Sequence, residues 1–401
     1  MRKIVKTVSM ILTVLTLALM TATVFGHFAL PDEVAACGDA ATFYHLYTVT
    51  AEGPVIPVSA NGELQTAQAT VKLLDTIPVK NVSLRKSQRR YVALGGELIG
   101  LTLRTQGILV VGVESFSCGG AAVSPADRAG LKIGDAIVKA NGAVLTDNAS
   151  FLSQIEASDG QALTLEYIRN GKTSTTMLTP EKSDMTGQYK CGLWIRDCTN
   201  GIGTLTYTDI ERGSIASLGH AIYDVDTNDV LPAAGGEFRT ATLIGVTKGS
   251  NGAAGELKGV IGDTTLGTLT VNCEGGVYGD LLLTPSTGVL TPVAMPDEIR
   301  TGPAQIVATV EDGQKTCYDV TIEKIIYAEG NRNMVVKVTD PALLEITGGI
   351  VQGMSGSPII QNGMLAGAIT HVFLNDPQKG YGIFAENMLA LSDGATMDEA
   401  A

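Results

Sequence analysis

Short runs rich in Thr, Val, Ile and Leu, separated by glycine-containing turns, recur along the second half of the chain. Residues of this kind in runs of this length predict β-strands. Nothing between most of the runs has helical periodicity, so closed or paired β-barrels are favoured over a sheet with intervening helices. We therefore predict a mostly β protein. The runs are residues 203–207, 241–246, 267–271, 304–310, 318–322 and 334–338.

The N-terminus has a different pattern, because residues 7–31 form an uncharged apolar stretch behind a basic start at residues 2–6. As a helix at about 1.5 Å per residue, this stretch reaches about 37 Å, enough to cross a bilayer core of about 30 Å. No tidy small-residue cleavage site follows, so residues 1–31 are predicted to be a retained membrane anchor, with a removed signal peptide as the alternative. The basic flank predicts that the bulk of the chain is exported.

Residues 32–90 are predicted to be an extracytoplasmic stalk. They contain strand-like runs at residues 55–58 and 71–74, followed by a basic run at residues 84–90. Such a charge run is typical of a solvated loop between domains, and a processing site is the alternative.

A long ordered motif follows the basic run. A strand at residues 108–113 leads to a short helix with Pro125, a Gly-Leu-x-x-Gly-Asp turn, another strand, and the pair Asn141 and Gly142, which suits a hairpin turn with positive φ. Over residues 91–182 this pattern resembles a PDZ domain.

A PDZ domain binds an extended peptide as an added strand beside a helix. In this chain Asp147 or Asn148 is predicted to cap that helix. The resemblance implies that the backbone N–H groups of Ile99, Gly100 and Leu101 receive the carboxylate of a peptide or protein C-terminus. The alternative is a PDZ domain that packs against its neighbour and binds no free peptide.

Charge and cysteine content exclude several functions. The chain has 28 Lys and Arg against 41 Asp and Glu, a net charge of −13 that predicts no nucleic-acid partner. Its 6 cysteines include Cys191 and Cys198, which lack the paired spacing or neighbouring histidines of a zinc site. We predict no metal and no cofactor.

A glycine-rich turn at residues 353–358 enters an apolar strand and resembles the nucleophile loop of trypsin-like serine peptidases. Gly353 and Gly356 let the backbone bend so that the hydroxyl of Ser355 stands free. The N–H groups of Gly353 and Ser355 are predicted to form an oxyanion hole. Ser357 is the less suitable nucleophile, because only Ser355 has a glycine two residues before it.

A serine hydroxyl needs a general base within hydrogen-bond reach, and a carboxylate normally orients that base. The chain has 4 histidines, of which two lie in the predicted anchor and stalk. Of the remaining two, His220 is the better candidate. For the carboxylate, Asp340 lies at a strand end shortly before the serine, while Asp224 and Asp226 lie close to His220 in the sequence.

The anchor, the PDZ-like segment, the histidine string at residues 218–227 and the serine string at residues 347–363 together resemble the stage IV sporulation protein B (SpoIVB) peptidases. The resemblance implies a trypsin-like double β-barrel peptidase domain at residues 183–401. It also implies a catalytic triad of His220, Asp340 and Ser355.

The same resemblance implies a biological role. The enzyme would be a membrane-tethered serine endopeptidase in the space between the two membranes of a developing spore. It would cleave itself, here around residues 71–90, and then cut a membrane-bound regulator to trigger sigma factor activation. Its partners would be those protein substrates, a PDZ ligand and the membrane.

Two other functions remain possible from the sequence. One is a PDZ-based binding protein with an inactive peptidase fold, although the serine, the histidine and the oxyanion glycines are all present. The other is an envelope quality-control serine protease, in which the PDZ domain usually follows the protease domain instead of preceding it.

Overall fold

The fold is mostly β, as the sequence predicts. The computed structural model describes residues 2–38, 40–51, 65–224, 226, 229–231, 233–283, 289–327 and 330–394. The predicted strand at residues 55–58 lies outside these ranges.

The predicted stalk is a folded domain. A long helix, α1 (Arg2–Ala29), leads into a five-stranded sheet with the order β1-β5-β4-β3-β2. Its apolar side chains belong to the same core cluster as those of the second barrel described below. The strands are β1 (Glu33–Ala36), β2 (Ala40–Phe43), β3 (Tyr47–Ala51), β4 (Gln65–Leu73) and β5 (Ile77–Lys86).

The basic run that ends this domain is not the solvated loop we predicted. Arg85 lies 2.6 Å from Glu386, and the two side chains are only 11% and 8% exposed. Arg89 lies 2.6 Å from Glu298, and Arg90 also pairs with a carboxylate of the first barrel. Because these partners are distant in sequence, the local pattern suggests solvated charges. In the structure, the arginines of the run connect the N-terminal domain to the barrels through ion pairs.

The first barrel begins with β6 (Tyr91–Leu94) and β7 (Leu98–Val113). The second half of β7 then runs into the PDZ-like domain, whose core contains Ile108, Phe151 and Cys191. The elements of this domain are β8 (Phe116–Cys118), β9 (Ala121–Val123), α2 (Pro125–Arg128), β10 (Ala136–Ala140), β11 (Ala143–Val144), α3 (Asn148–Ala157), β12 (Leu163–Arg169), β13 (Lys172–Leu178), β14 (Glu181–Lys182) and β15 (Tyr189–Lys190).

Local features of the PDZ-like domain agree with the sequence. Asp147 caps α3, because its carboxylate accepts a hydrogen bond from Ser150 N at 2.7 Å. Asn141 and Gly142 have φ values of 48° and 79°, as the predicted hairpin turn requires.

The chain then returns to the first barrel. There, β7 pairs with both β18 and β16, which closes six strands into a ring in the order β7-β18-β19-β20-β17-β16. The PDZ-like domain is therefore an insertion in this barrel. The returning strands are β16 (Leu193–Asp209), β17 (Ser214–Ser217), β18 (Ala233–Thr247), β19 (Glu256–Cys273), β20 (Gly276–Leu281) and β21 (Leu290–Pro292).

A second closed barrel follows, with the order β22-β23-β24-β27-β26-β25. The two barrels confirm the predicted double β-barrel. After a 3₁₀ turn at Pro296–Glu298, the elements are β22 (Gly302–Glu311), β23 (Gln314–Ile325), β24 (Met334–Val338), α4 (Pro341–Thr347), β25 (Pro358–Gln361), β26 (Met364–Phe373), β27 (Asp376–Phe384) and α5 (Ala385–Ser392).

The insertion corrects the boundary predicted between the PDZ and peptidase domains. Ile99, Gly100 and Leu101 lie in the barrel half of β7, where Ile99 faces Gly203 of β16 on one side and Thr240 of β18 on the other. Their backbone groups belong to two ladders, so no sheet edge is left for a peptide strand. The prediction that these three residues bind a peptide carboxylate is therefore corrected.

Candidate active site

Ser355 occupies a tight turn that leads into β25. Its Oγ donates a hydrogen bond of 2.7 Å to the carbonyl of Thr370 on the neighbouring strand β26. Ser355 is partly exposed, whereas Ser357 is fully buried. Because a nucleophile must be reached by substrate, this difference in exposure supports the choice of Ser355.

The turn depends on Gly356, whose φ is 93°. A Cβ at this position would lie 2.1 Å from the carbonyl oxygen of Thr204 in β16 and 2.7 Å from the amide nitrogen of Leu218. Thr204 N also donates to the carbonyl of Ser355 at 3.0 Å. The nucleophile turn of the second barrel is thus held directly against the first barrel.

His220 lies on the first-barrel side of this junction, just after β17. Leu218 and Gly219 before it both have a φ of 68°, which turns the chain sharply out of the strand. A Cβ at Gly219 would lie 2.8 Å from the side chain of Thr370, the residue that accepts the hydrogen bond of Ser355. The fold therefore brings the His220 and Ser355 turns together.

A hydrogen bond to the backbone carbonyl of the next residue, Ala221, fixes the tautomer of His220. The Nδ1 atom lies 2.8 Å from the carbonyl oxygen of Ala221. A carbonyl oxygen can only accept, so the neutral ring carries its proton on Nδ1 and its lone pair on Nε2. This is the tautomer that a general base for a serine hydroxyl requires.

The predicted oxyanion hole consists of backbone amides in the turn around Ser355. Met354 N, Gly356 N and Ser357 N donate to the carbonyls of the barrel and of the turn itself. In contrast, the hydrogen bonds found among the described residues use neither Gly353 N nor Ser355 N. These two amides are thus available to an oxyanion.

His371, the histidine that the sequence analysis ranks below His220 as a base, is a neighbour of His220 in the structure. Its ring centroid lies 4.7 Å from that of His220. Burial, together with the positive charges of His220 and Arg332, lowers the pKa of His371 to about 4. Its buried Nδ1 has no hydrogen-bond partner in the part of the chain that the structure describes. His371 therefore stays neutral beside His220.

The charge of Glu274 acts on His220, although nothing in the sequence identifies this residue. Burial lowers the pKa of His220 below its ordinary value of 6.5, while the carbonyl of Ala221 and the carboxylate of Glu274 oppose that shift. Glu274 itself accepts a hydrogen bond of 2.5 Å from the hydroxyl of Tyr223.

The structure does not bring Asp340 to the imidazole. Its carboxylate caps helix α4, accepting hydrogen bonds from Ala342 N at 2.9 Å and Leu343 N at 3.1 Å. It also accepts one from Asp319 N at 3.2 Å. In the sequence, an aspartate before a proline is compatible with a triad carboxylate and with a helix N-cap. The hydrogen bonds of Asp340 are those of an N-cap.

The two alternative aspartates are also occupied elsewhere. Asp224 is buried and pairs with Arg196, and Asp226 lies 2.8 Å from the same guanidinium. Neither has a contact with His220 among the hydrogen bonds and ion pairs described. Among the described residues, the contact that fixes the imidazole tautomer is the one with the backbone carbonyl of Ala221.

The helix-cap role of Asp340 predicts a small effect for a conservative change. Asparagine is also a good N-cap, so Asp340→Asn should leave the rate of peptide hydrolysis within about threefold of the parent, whereas loss of a triad carboxylate costs about 10⁴-fold. Asp340→Ala should lower the free energy of unfolding by about 1 kcal/mol. A fall of several orders of magnitude in Asp340→Asn would restore the residue to the triad.

The environment of His220 predicts the acid limb of the pH–rate profile. Only the neutral ring can accept the serine proton, and its pKa lies below 6.5, so kcat/KM should fall with decreasing pH at a midpoint below 6.5. Glu274→Gln removes a charge that favours the imidazolium, so the limb should move to still lower pH. A limb above 6.5, or a shift to higher pH in Glu274→Gln, would contradict this electrostatic account.

A double β-barrel with a histidine and a serine at the junction of the barrels defines the class of chymotrypsin-like serine peptidases. Family models agree with this class. The model described as SpoIVB peptidase S55 matches residues 187–389, and the PDZ domain model matches residues 94–179. The chain belongs to the SpoIVB peptidase S55 family, and it is a PDZ-containing serine peptidase.

Individual relatives match shorter parts. A putative zinc metalloprotease, LL2128 of Lactococcus lactis subsp. lactis (strain IL1403), is 35% identical over 94 residues, which are 23% of this chain and 22% of that protein. The chain thus spans about a fifth of the length of this curated relative.

Solved structures are similar only over parts of the chain. The PDZ domain of the SdrC-like protein Lmo2051 from Listeria monocytogenes covers 22% of this chain and 87% of its own, at 20% identity and a TM-score of 0.19. The active form of the Rv3671c protease from M. tuberculosis covers 49% of this chain and 76% of its own, at 15% identity and a TM-score of 0.32.

Proposed function

We propose that this serine peptidase is an exported, membrane-tethered endopeptidase in which Ser355 is the nucleophile and His220 the general base. The observation that carries the proposal is the hydrogen bond of His220 Nδ1 to the carbonyl of Ala221, at a junction where Gly356 packs against Leu218. A base with a free Nε2 lone pair and a partly exposed serine thus lie on two turns that are in contact.

The chemistry would follow from this arrangement. As substrate binds, Ser355 Oγ releases the carbonyl of Thr370, gives its proton to His220 Nε2 and attacks the scissile carbonyl. The amides of Gly353 and Ser355 stabilise the resulting oxyanion. His220 then protonates the leaving amine, and a water molecule activated by the same ring releases the acyl group.

We further propose that the enzyme acts in endospore formation, where it cleaves itself and then a membrane-bound regulator whose loss leads to sigma factor activation. Membership of the SpoIVB peptidase family supports this role. The apolar helix α1 supports a tether, since its segment Lys3–Ala29 is long and apolar enough to cross a membrane.

The fold restricts self-cleavage in the region where the sequence predicts it. Residues 71–90 were predicted to be cleaved, but most of them lie in the paired strands β4 and β5. Peptidases cut extended segments that are free of a sheet, so β4 and β5 would have to separate first. We therefore expect cleavage at this place only when the N-terminal sheet opens.

The proposal is tested with the full chain in lipid vesicles, followed by mass spectrometry of fragments over time. The parent and Ser357→Ala should lose N-terminal fragments at similar rates, and Ser355→Ala should remain intact. Fragments in Ser355→Ala at the parent's rate would show that another peptidase makes them. An intact parent that still hydrolyses a peptide substrate would refute self-cleavage but not the peptidase.

A further inference from the structure

Two turns of the N-terminal sheet meet at one end and carry exposed leucines. Leu46 lies between β2 and β3, and Leu74 lies between β4 and β5. Leu74 N donates a hydrogen bond of 2.8 Å to the carbonyl of Leu46, so the two turns are in contact. The leucines are 45% and 53% exposed. We call these two turns the leucine tip.

The leucine tip lies beside the membrane-spanning part of α1. Tyr47, at the start of β3, donates its hydroxyl to the carbonyl of Ala22 at 2.7 Å. Farther from the tip along β5, Lys80 donates to the carbonyl of Leu30 at 2.6 Å. Moving along the sheet toward the tip therefore means moving along α1 toward its N-terminus, which is the direction of the membrane.

The length of α1 fixes the depth of this contact. Counted from Lys6, the last charged residue at its start, the roughly 20 residues that cross a bilayer core of about 30 Å end near Gly26. Gly26 is covered by the ring of Tyr47, since a Cβ there would lie 2.3 Å from Tyr47 Cε1. The sheet thus reaches the helix at the depth where the hydrocarbon ends.

We propose that the leucine tip inserts into the outer boundary of the lipid bilayer and holds the N-terminal sheet upright on the membrane. This rests on the retained anchor, which is part of the proposed function. The occupant is lipid because α1, which contacts Tyr47 beside the tip, continues from there toward the bilayer.

The side chains around the tip suit a membrane interface. Tyr44 in the first turn packs against Phe25 of α1, with ring centroids 5.4 Å apart. Tyr44, which is partly exposed, provides an amphipathic ring of the kind that accumulates at the level of the headgroups, while Tyr47 is buried against α1. The carboxylate of Asp75, next to Leu74, accepts a hydrogen bond from Thr48, which lowers the cost of placing it near the lipid.

The test uses tryptophan fluorescence of the full chain in phosphatidylcholine vesicles containing lipids brominated near the headgroup end of the acyl chain. The chain has 1 tryptophan, so Trp194→Phe provides a silent background. Leu46→Trp and Leu74→Trp are then introduced separately. Both emissions should be quenched at least about twofold, because an interfacial side chain lies about 5–10 Å deep.

Two further variants separate the possible causes of failure. Leu152→Trp on α3 is the matched control, because Leu152 and Leu74 are both 53% exposed, and its emission should not change. Leu12→Trp reports the anchor and should be quenched. If the emission of Leu12→Trp were quenched but that of neither Leu46→Trp nor Leu74→Trp, the tip would not contact the bilayer, while the anchor would remain supported.

If the emission of Leu12→Trp were not quenched, the proposal of a membrane anchor would be refuted, and so would the tip proposal that rests on it. Peptide hydrolysis measured in the same vesicles reports separately on the peptidase. Quenching of Leu152→Trp equal to that of the tip variants would also contradict the proposal, since the bilayer contact would then not be specific to the tip.

Discussion

Replacing His220 with alanine is expected to lower kcat/KM by about 10⁴-fold or more, the loss typical of removing the base of a serine nucleophile. The hydrogen bond of Nδ1 to the Ala221 carbonyl leaves Nε2 as the proton acceptor, and alanine offers no replacement. The measurement is the hydrolysis of a peptide substrate at a pH well above the acid limb.

The matched control is His371→Ala, whose ring lies 4.7 Å from that of His220. A pKa of about 4 makes His371 a weak base, so its loss should cost no more than about tenfold. If His371→Ala were the inactive variant and His220→Ala retained activity, the roles assigned to the two rings would have to be exchanged.

Replacing Gly356 with alanine is expected to lower kcat/KM by about 100-fold or more. The new Cβ would lie 2.1 Å from the Thr204 carbonyl oxygen, in the middle of β16, and 2.7 Å from Leu218 N. Backbone atoms of a barrel strand cannot move aside, so the nucleophile turn must shift. A displacement of about 1 Å at a reacting group costs on the order of 10²-fold.

Gly363→Ala is the matched control for this change. Gly363 also has a positive φ, 76°, but a Cβ there would meet nothing within 4 Å. It should lose only the roughly 1–2 kcal/mol of stability that a left-handed alanine costs, with activity retained. Equal losses of activity in the two variants would mean that backbone conformation, and not contact with the first barrel, is what Gly356 provides.

The local features of the site could be predicted from the sequence, because they depend on neighbouring residues. The glycines around Ser355 determine its turn, and the strand runs of the barrels are visible as short β-branched segments. The cap of α3, predicted at Asp147 or Asn148 and found at Asp147, and the hairpin turn at Asn141 are likewise visible in the sequence, since caps and hairpin turns depend on a few adjacent side chains.

The predictions that were wrong concern features that depend on residues far apart in the chain. Ile99 to Leu101 fit a PDZ loop locally, and only the pairing of β7 with β16 and β18 places them in a barrel. The local sequence predicts a solvated side chain for Arg85. In the structure this side chain pairs with Glu386, which lies about 300 residues later in the chain. Long-range pairing of this kind leaves no trace in the local pattern.

The orientation of the His220 ring, the proposed general base, could not be predicted for a different reason. Sequence reasoning looks for a side-chain carboxylate, and Asp340 is the candidate that the family resemblance supplies. A backbone carbonyl, such as that of Ala221, exists at every position and gives no signal in the sequence. Only the conformation of the turn shows that it lies 2.8 Å from His220 Nδ1.

The proposed chemistry depends on Ser355 as the nucleophile, activated by His220. The most direct measurement is to treat the full chain with a tagged fluorophosphonate and locate the adduct by peptide mass mapping. We predict a single adduct on Ser355, absent from Ser355→Ala and His220→Ala and present in Ser357→Ala. An adduct on Ser357, or equal labelling of His220→Ala and the parent, would contradict the claim.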